Sequence, residues 1–285
     1  MKLNEGINIG ITSQDPKGVT GFQQLAAFQF EVRFDPKIAT GVDYPNDYTC
    51  RGLAYWRNPA APQGAPCAER IFMNTNDRRL FALDAATGRA CAGFGTGGWV
   101  PAIPGVTLTR PGGAHITSPP VVTRGLVITG SSIDDNQKVD ETSGAVHAFD
   151  AVTGQLTWRF DPLDSVRPQV RAGAANVWAP MSVDEARGLV FLPTSSASPD
   201  FYGAARPGNG GHANSVVALK AATGELAWGF QTTHHDVWDY DVPAQPTLAT
   251  VTFLSVTSPA VIQTTKQGLL FTLNRDTGAP VIPVV

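Results

Sequence analysis

The chain has 285 residues, 42% of them hydrophobic, enough to bury a core in one large domain or two ordinary ones. With 21 basic against 24 acidic residues the net charge is −3, and no basic block or stripe occurs, which excludes nucleic acid as the main partner. No stretch approaches the roughly 18 apolar residues of a membrane helix, and the start, MKLNEGINIGITSQDPKG, lacks the apolar run of a secretory signal.

Glycine (29) and proline (22) are both frequent, as many short strands joined by turns require. Residues 1–29 match no recognised pattern and form an unassigned N-terminal segment. VRFDPK (32–37) reads as the closing strand of an early, incomplete unit. DYTCRGLAYW (47–56) sets Arg51 beside Cys50 among aromatics. Cys50, Cys67 and Cys91 contain no C-x-x-C, which argues against a zinc ribbon. One bridge can form in an oxidising compartment, and spacing alone does not choose it. RLFALDAATGRACAGF (79–94), AVHAFDAVTGQLTWRF (145–160), SVVALKAATGELAWGF (215–230) and a weaker LLFTLNRDTGAPVIP (269–283) repeat one pattern. Each is an alternating apolar strand, a polar turn ending in Thr-Gly, and a second strand. Gly88, Gly154, Gly224 and Gly278 suit the positive φ of a tight turn. Such units are too short to bury their own faces, so neighbours must stack. The pattern predicts an all-β chain, a β-propeller of four-stranded antiparallel blades, here about four of them. A β-sandwich array is the alternative, for which the spacing is long. Trp158 and Trp228, four residues after their glycines, are placed to wedge between blades; the first and last copies have Ala92 and Ile282 there.

Between the copies lie polar segments, 43–69, 96–119, 131–144, 162–177, 195–214 and 231–247, and a rigid β scaffold commonly carries its chemistry on such connections. GSSIDDNQKVDETSG (130–144) offers hard oxygen ligands suited to Ca²⁺ or Mg²⁺ without the EF-hand spacing; singly, Asp135 and Asn136 read as turn formers. In NVWAP (176–180) the Trp is either core or a stacking surface for a flat ring. TSSASPDFYG (194–203) is rich in hydroxyls, and VIQTTKQG (261–268) ends an apolar strand with Lys266. HHDVWDYD (234–241) is the densest cluster of titratable groups. Adjacent histidines on a strand point to opposite faces, so His234 and His235 read as structural rather than as metal ligands. Asp236, Asp239 and Asp241 are the better candidates, since a carboxylate desolvated against Trp238 would gain the proton affinity of a useful base.

Taken together, TCRGLAYW, RLFALDAATG, TSPPVV, GSSIDDNQKVDETSG, NVWAP, QTTHHDVWDYDVPAQPTL and TTKQG resemble the pyrroloquinoline quinone (PQQ)-dependent dehydrogenases, specifically the membrane-bound glucose/quinate/shikimate dehydrogenase family. The resemblance runs from about residue 30 to the end and implies a partial propeller over 30–285 of the family's eight blades. It implies oxidation of a sugar or polyol hydroxyl, with PQQ and Ca²⁺ or Mg²⁺ as cofactors. It implies a membrane quinone as acceptor, at the periplasmic face of the bacterial inner membrane. By the same resemblance Asp239 is the catalytic base, Lys266 contacts the quinone oxygens, Trp178 stacks on PQQ, and Arg51, Thr117 and Ser132 contact the cofactor. Asp135, Asn136, Ser198 and Asp239 are the metal positions. Asp47, Ser198 and His147 depart from the family's commoner His, Thr and Arg. Four Thr-Gly units and part of a fifth do not close eight blades. The rest of the propeller and the membrane anchor are therefore expected elsewhere, and turnover by this chain alone is not expected. Two readings stay open: a non-catalytic propeller scaffold or sugar-binding module, and, more weakly, a metal-dependent hydrolase.

Overall fold

The computed structural model describes residues 7–10, 31–38, 41–45, 48–106, 108, 110–166 and 171–284; Asp47 lies outside them. Short apolar runs bounded by glycine turns become antiparallel strands, and the helical turns described are two 3-10 segments, Asp164–Val166 and Gly203–Ala205. β1 (Ile7–Gly10) pairs with β2 (Glu31–Phe34), the strand within VRFDPK. The first blade is β3 (Ala54–Arg57), β4 (Glu69–Asn74), β5 (Arg79–Asp84) and β6 (Trp99–Pro101), in that order. Then come β7 (Ala114–His115), β8 (Val121–Thr123), β9 (Leu126–Thr129), β10 (Ser132–Ile133), β11 (Val146–Asp150) and β12 (Leu156–Phe160). Of these, β8, β9, β11 and β12 make the second blade, while β7 and β10 form a separate two-stranded ribbon. The third blade is β13 (Ser182–Asp184), β14 (Leu189–Pro193), β15 (Ser215–Lys220) and β16 (Leu226–Gln231). The fourth has three strands among the described residues: β17 (Thr247–Phe253), β18 (Val256–Thr264) and β19 (Leu270–Asn274).

The blades stack face to face. Alternate residues of a strand point to opposite faces, and an inner strand such as β14 is buried on both. Val190 and Leu192 pack with Ile128, Val146 and Trp158 of the second blade. Leu189 and Phe191 pack with Trp228, Val261, Phe271 and Leu273 towards the fourth. Phe72, Leu80, Phe94 and Val100 meet Val127 and Phe149 between the first and second.

The repeat turns key this stacking. Gly88, Gly154, Gly224 and Gly278 all have positive φ, between 68° and 75°. In three of the four turns an Asp or Asn accepts the backbone N–H and hydroxyl of the Thr three residues on: Asp84 with Thr87, Asp150 with Thr153 and Asn274 with Thr277. Glycine is also needed for room: a Cβ on Gly224 would meet the Trp158 ring and one on Gly278 the Trp228 ring. Each indole N–H reaches the carbonyl three residues before that glycine, Ala221 at 2.9 Å and Arg275 at 3.0 Å. The first blade has Ala92 in place of the Trp, and there the buried Arg70 of β4 reaches the equivalent turn. It donates to the carbonyls of Ala151 and Val152 at 2.9 and 2.8 Å. Cys67 and Cys91 form a disulfide that ties the approach to β4 to the segment after β5, and Cys50 is free and exposed.

Candidate active site

The polar connections are drawn together by contacts too close for side chains larger than hydrogen. A Cβ on Gly130, just after β9, would run into Val177, and one on Gly203 into His235 and Val237. Buried Asn176 donates to the Ser131 carbonyl at 2.8 Å and accepts from the Ser195 hydroxyl at 3.0 Å. Buried Arg206 donates to the carbonyls of Pro199 and Asp200, both at 3.1 Å, and to that of Asp236. Segments after β9, before β13, after β14 and after β16 therefore share one polar region.

Within HHDVWDYD each carboxylate has a different setting. Asp236 is buried and accepts from the Ser196 hydroxyl (2.6 Å), the Asn214 amide (3.0 Å) and the backbone N–H groups of Trp238 (3.0 Å) and Tyr240 (2.7 Å). It folds the loop on itself and holds Asp239 at φ 57°. Asp241 is also buried and accepts from the Trp178 indole N–H (3.0 Å), the Ser196 N–H (2.7 Å) and the Lys266 ammonium (3.2 Å). Lys266 also lies 3.0 Å from the Asp239 carboxylate and donates to the Asp239 carbonyl at 2.8 Å. The planar guanidinium of Arg51 sits 5.0 Å above the Trp178 ring. His235 is exposed, with Nδ1 2.8 Å from the Gly208 carbonyl, the structural role read from the sequence.

Burial, and then the charge of Asp241, push the Asp239 carboxyl up to about 6, against the pull of Lys266. Burial followed by Asp241 pushes Asp135 up to about 7. Burial followed by Asp135 pushes Asp200 up to about 9. Asp135 and Asp200 share a hydrogen bond, so the pair retains a proton more readily than a free carboxylate does. Burial works against the charge of Lys266, but Asp241 and Asp239 outweigh it and its pKa is raised. Crowded carboxylates in a poorly hydrated place must take up protons or a cation.

Asp135, Asp239, Lys266, Trp178 and Arg51 are thus brought together, although they lie far apart in sequence. The Thr117 hydroxyl points to the Trp178 carbonyl at 3.5 Å, and Ser132 is buried in β10. Asn136 is exposed. The Ser198 hydroxyl is engaged by the fold, donating to the Val139 carbonyl at 2.7 Å and accepting the Gly173 N–H at 2.9 Å. Trp238 is 68% exposed and does not supply the desolvation expected of it; burial beside Asp241 does. Asp200 went unread in TSSASPDFYG, where it looks like a turn residue, yet one of its oxygens is buried without a partner. Among the described residues no three His, Cys, Asp or Glu side chains are arranged as a metal centre. The donor chemistry still suits a hard cation, since the clustered groups are all carboxylates raised by mutual repulsion and burial. The residues also suit a flat anionic ring, because one face of Trp178 already carries a planar cation with Lys266 nearby.

Comparison with known proteins points the same way. The chain is 39% identical over 268 residues to a quinoprotein glucose dehydrogenase of Gluconobacter oxydans, covering 88% of this chain and 33% of that protein. It is 36% identical over 261 residues to the quinate/shikimate dehydrogenase (quinone) of Acinetobacter baylyi, covering 83% and 32%. Among solved structures it resembles the quinohemoprotein alcohol dehydrogenase of Comamonas testosteroni, with a TM-score of 0.66 at 25% identity, covering 83% of this chain and 36% of the other. The chain spans about a third of the length of these relatives. Residues 30–285 match the glucose/ethanol/alcohol dehydrogenase β-propeller domain of the PQQ proteins, and the chain belongs to that family.

Proposed function

We propose that residues 30–285 carry the cofactor side of a PQQ-dependent dehydrogenase, with 1–29 outside that unit. The reaction is oxidation of a sugar or polyol hydroxyl of the glucose, quinate or shikimate type. Electrons pass to a membrane quinone at the periplasmic face of the bacterial inner membrane. A Cys67–Cys91 disulfide suits such an oxidising compartment. The observation that carries the reading is a single linked unit: Lys266 bridges Asp239 and Asp241, and Asp241 holds the indole N–H of Trp178. A scaffold propeller has no use for a base, a cation and a stacking platform joined in this way.

When bound, PQQ supplies a two-electron acceptor and Ca²⁺ or Mg²⁺ a Lewis acid. The chain supplies binding and proton transfer. Trp178, Arg51, Thr117 and Ser132 would hold the flat ring and its carboxylates. Asp135 and Asp239 would hold the cation, with Asn136 and Ser198 at its margin. Asp239, held at positive φ beside the Lys266 ammonium, would take the hydroxyl proton of the substrate while hydride passes from the carbinol carbon to the two-electron acceptor. Lys266 keeps a positive charge where negative charge develops.

The test is to titrate the chain with PQQ in saturating Ca²⁺, following indole fluorescence and bound quinone absorbance. Tight stoichiometric binding, lost in Trp178→Ala, is expected; no binding overturns the reading. In a preparation that oxidises glucose, quinate or shikimate with a dye acceptor, Asp239→Asn lowers turnover by roughly 10²–10⁴-fold while PQQ stays bound. Near-normal turnover at saturating metal removes Asp239 as the base.

A further inference from the structure

Five of the six tryptophans are engaged by the fold. Trp158 and Trp228 seat neighbouring blades, Trp178 is held by Asp241, and Trp56 and Trp99 pack on Phe72 and Phe81. Trp238 stands apart. It is 68% exposed, and among the described residues its side chain has no hydrogen bond or ring contact. Its backbone is nonetheless fixed. Asp236 accepts its N–H at 3.0 Å and that of Tyr240 at 2.7 Å, and Lys266 donates to the carbonyl of Asp239 at 2.8 Å. An indole left open on a braced backbone is a presented surface rather than a loose one.

What it presents itself to follows from its neighbours. Trp238 directly precedes Asp239, so their Cα atoms are about 3.8 Å apart. The side chains of Asp239 and Lys266 are 33% and 31% exposed, while Asp236 and Asp241 are buried. A molecule that gives a hydroxyl proton to Asp239 comes from that open side, and the rest of it then lies within reach of Trp238. Phe201 and Tyr202 are each 62% exposed, and their segment is locked to the same loop. A Cβ on Gly203 would lie 2.9 Å from Val237, and Arg206 donates to the Asp236 carbonyl. Single exposed apolar residues are ordinary, but three large aromatics on two interlocked segments mark a binding surface. Aromatic faces beside carboxylates suit a ring that carries hydroxyls on its edge and C–H bonds on its face.

We propose that Trp238 is a specificity-determining residue, its indole receiving the C–H face of a six-membered polyol ring whose hydroxyl reaches Asp239, with Phe201 and Tyr202 bordering the same approach. The assignment rests on the PQQ reading and narrows its substrate class to cyclic polyols, since a short linear polyol offers no flat face to stack.

The experiment uses the whole chain with PQQ and saturating Ca²⁺ and no electron acceptor, so that at most one equivalent of substrate is oxidised while the excess reports binding. Indole N–H signals are followed by nuclear magnetic resonance during titration with glucose, quinate and glycerol, Trp238 being identified by its loss in Trp238→Phe. Saturation transfer to the C–H protons of each polyol gives the affinities of wild type, Trp238→Ala and Trp238→Phe, and PQQ affinity is measured alongside. The Trp238 signal should shift saturably with glucose or quinate and not with glycerol at equal concentration. Loss of the stacking face predicts roughly 3–10-fold weaker binding of the ring polyols by Trp238→Ala. Trp238→Phe should keep most of that affinity, and PQQ affinity should be unchanged in both variants. Four results overturn the assignment: no saturable shift with either ring polyol, an equal shift with glycerol, wild-type ring affinity in Trp238→Ala, or a parallel loss of PQQ, which would mean that Trp238 only supports the fold of the site. Wild type that binds no PQQ removes the underlying reading together with this one, whereas wild type that binds PQQ beside any of those four results removes this one alone.

Discussion

Two glycines with nearly the same backbone separate strain from packing at a blade interface. Gly224, in the turn after β15, has φ 74°, and a Cβ there would come within 2.7 Å of the Trp158 ring. Gly268, in the turn between β18 and β19, has φ 76° and nothing within 4 Å of where its Cβ would lie. Alanine at either site takes the left-handed backbone, at about 1 kcal/mol. Only at position 224 must it also displace an indole fixed by its 2.9 Å bond to the Ala221 carbonyl, and overpacking of that kind adds about 1–3 kcal/mol. Gly268→Ala should therefore cost about 1 kcal/mol and Gly224→Ala about 2–4 kcal/mol. Urea unfolding followed by far-ultraviolet dichroism and by indole fluorescence gives both numbers, provided the two probes coincide. Trimming the ring in Trp158→Leu should make Gly224→Ala cheaper, so the double variant should cost less than the two single losses added. Equal losses for Gly224→Ala and Gly268→Ala, or strict additivity with Trp158→Leu, would refute the view that these glycines exist to seat the neighbouring blade's indole.

The disulfide and the buried histidines give two further tests. Reduction, or Cys67→Ser with Cys91→Ser, should lower stability by about 3 kcal/mol, the value for closing a loop of this size; an unchanged urea midpoint in reductant would contradict the bridge. His147 is buried, and burial followed by the charge of Arg159 lowers its pKa to about 4. Between pH 6.5 and about 4 the unfolded chain takes a proton that the folded chain refuses. The stability its neutral ring contributes is thus complete above pH 6.5 and lost as pH falls towards 4, on the order of 3 kcal/mol at most. His147→Gln should show a correspondingly shallower loss over that window, and comparison at each pH cancels the opposing effect of the raised carboxylates; identical slopes would refute it.

The hairpin units were legible because they are local. Strand alternation and a Thr-Gly turn sit within sixteen residues, and the wedge at Trp158 and Trp228 follows from the same string. The first interface was not legible, because Arg70 comes from β4 of a different hairpin, about 80 positions before the carbonyls it reaches. Only the stacked blades show that a guanidinium does there what an indole N–H does elsewhere. The disulfide was open for the same reason, since Cys67 and Cys91 become neighbours only once β4 and β5 pair. Asp200 sits in a string that looks like a turn, and what sets it apart is burial beside Asp135, which no local pattern encodes. Trp238 misled because a bulky neighbour in sequence is not a cover in space.

HHDVWDYD shows how three carboxylates within six positions take different tasks. Hydrogen bonds to a carboxylate fix its orientation and satisfy its lone pairs. Asp236 has four donors, two of them backbone N–H groups of its own loop. That makes it the loop's internal brace. Asp241 has three, from Trp178, Ser196 and Lys266, and it anchors the platform and the ammonium to one another. Asp239 has the Lys266 ammonium, and beyond it the repelling charge of Asp241 and the cost of burial. Burial and then the charge of Asp241 push its carboxyl up to about 6. The brace and the anchor thus fix the loop on which Asp239 is presented. On the proposed reading a polar turn and an acid–base site are parts of one device, the turn chemistry of Asp236 bracing the loop in which Asp239 is presented at positive φ.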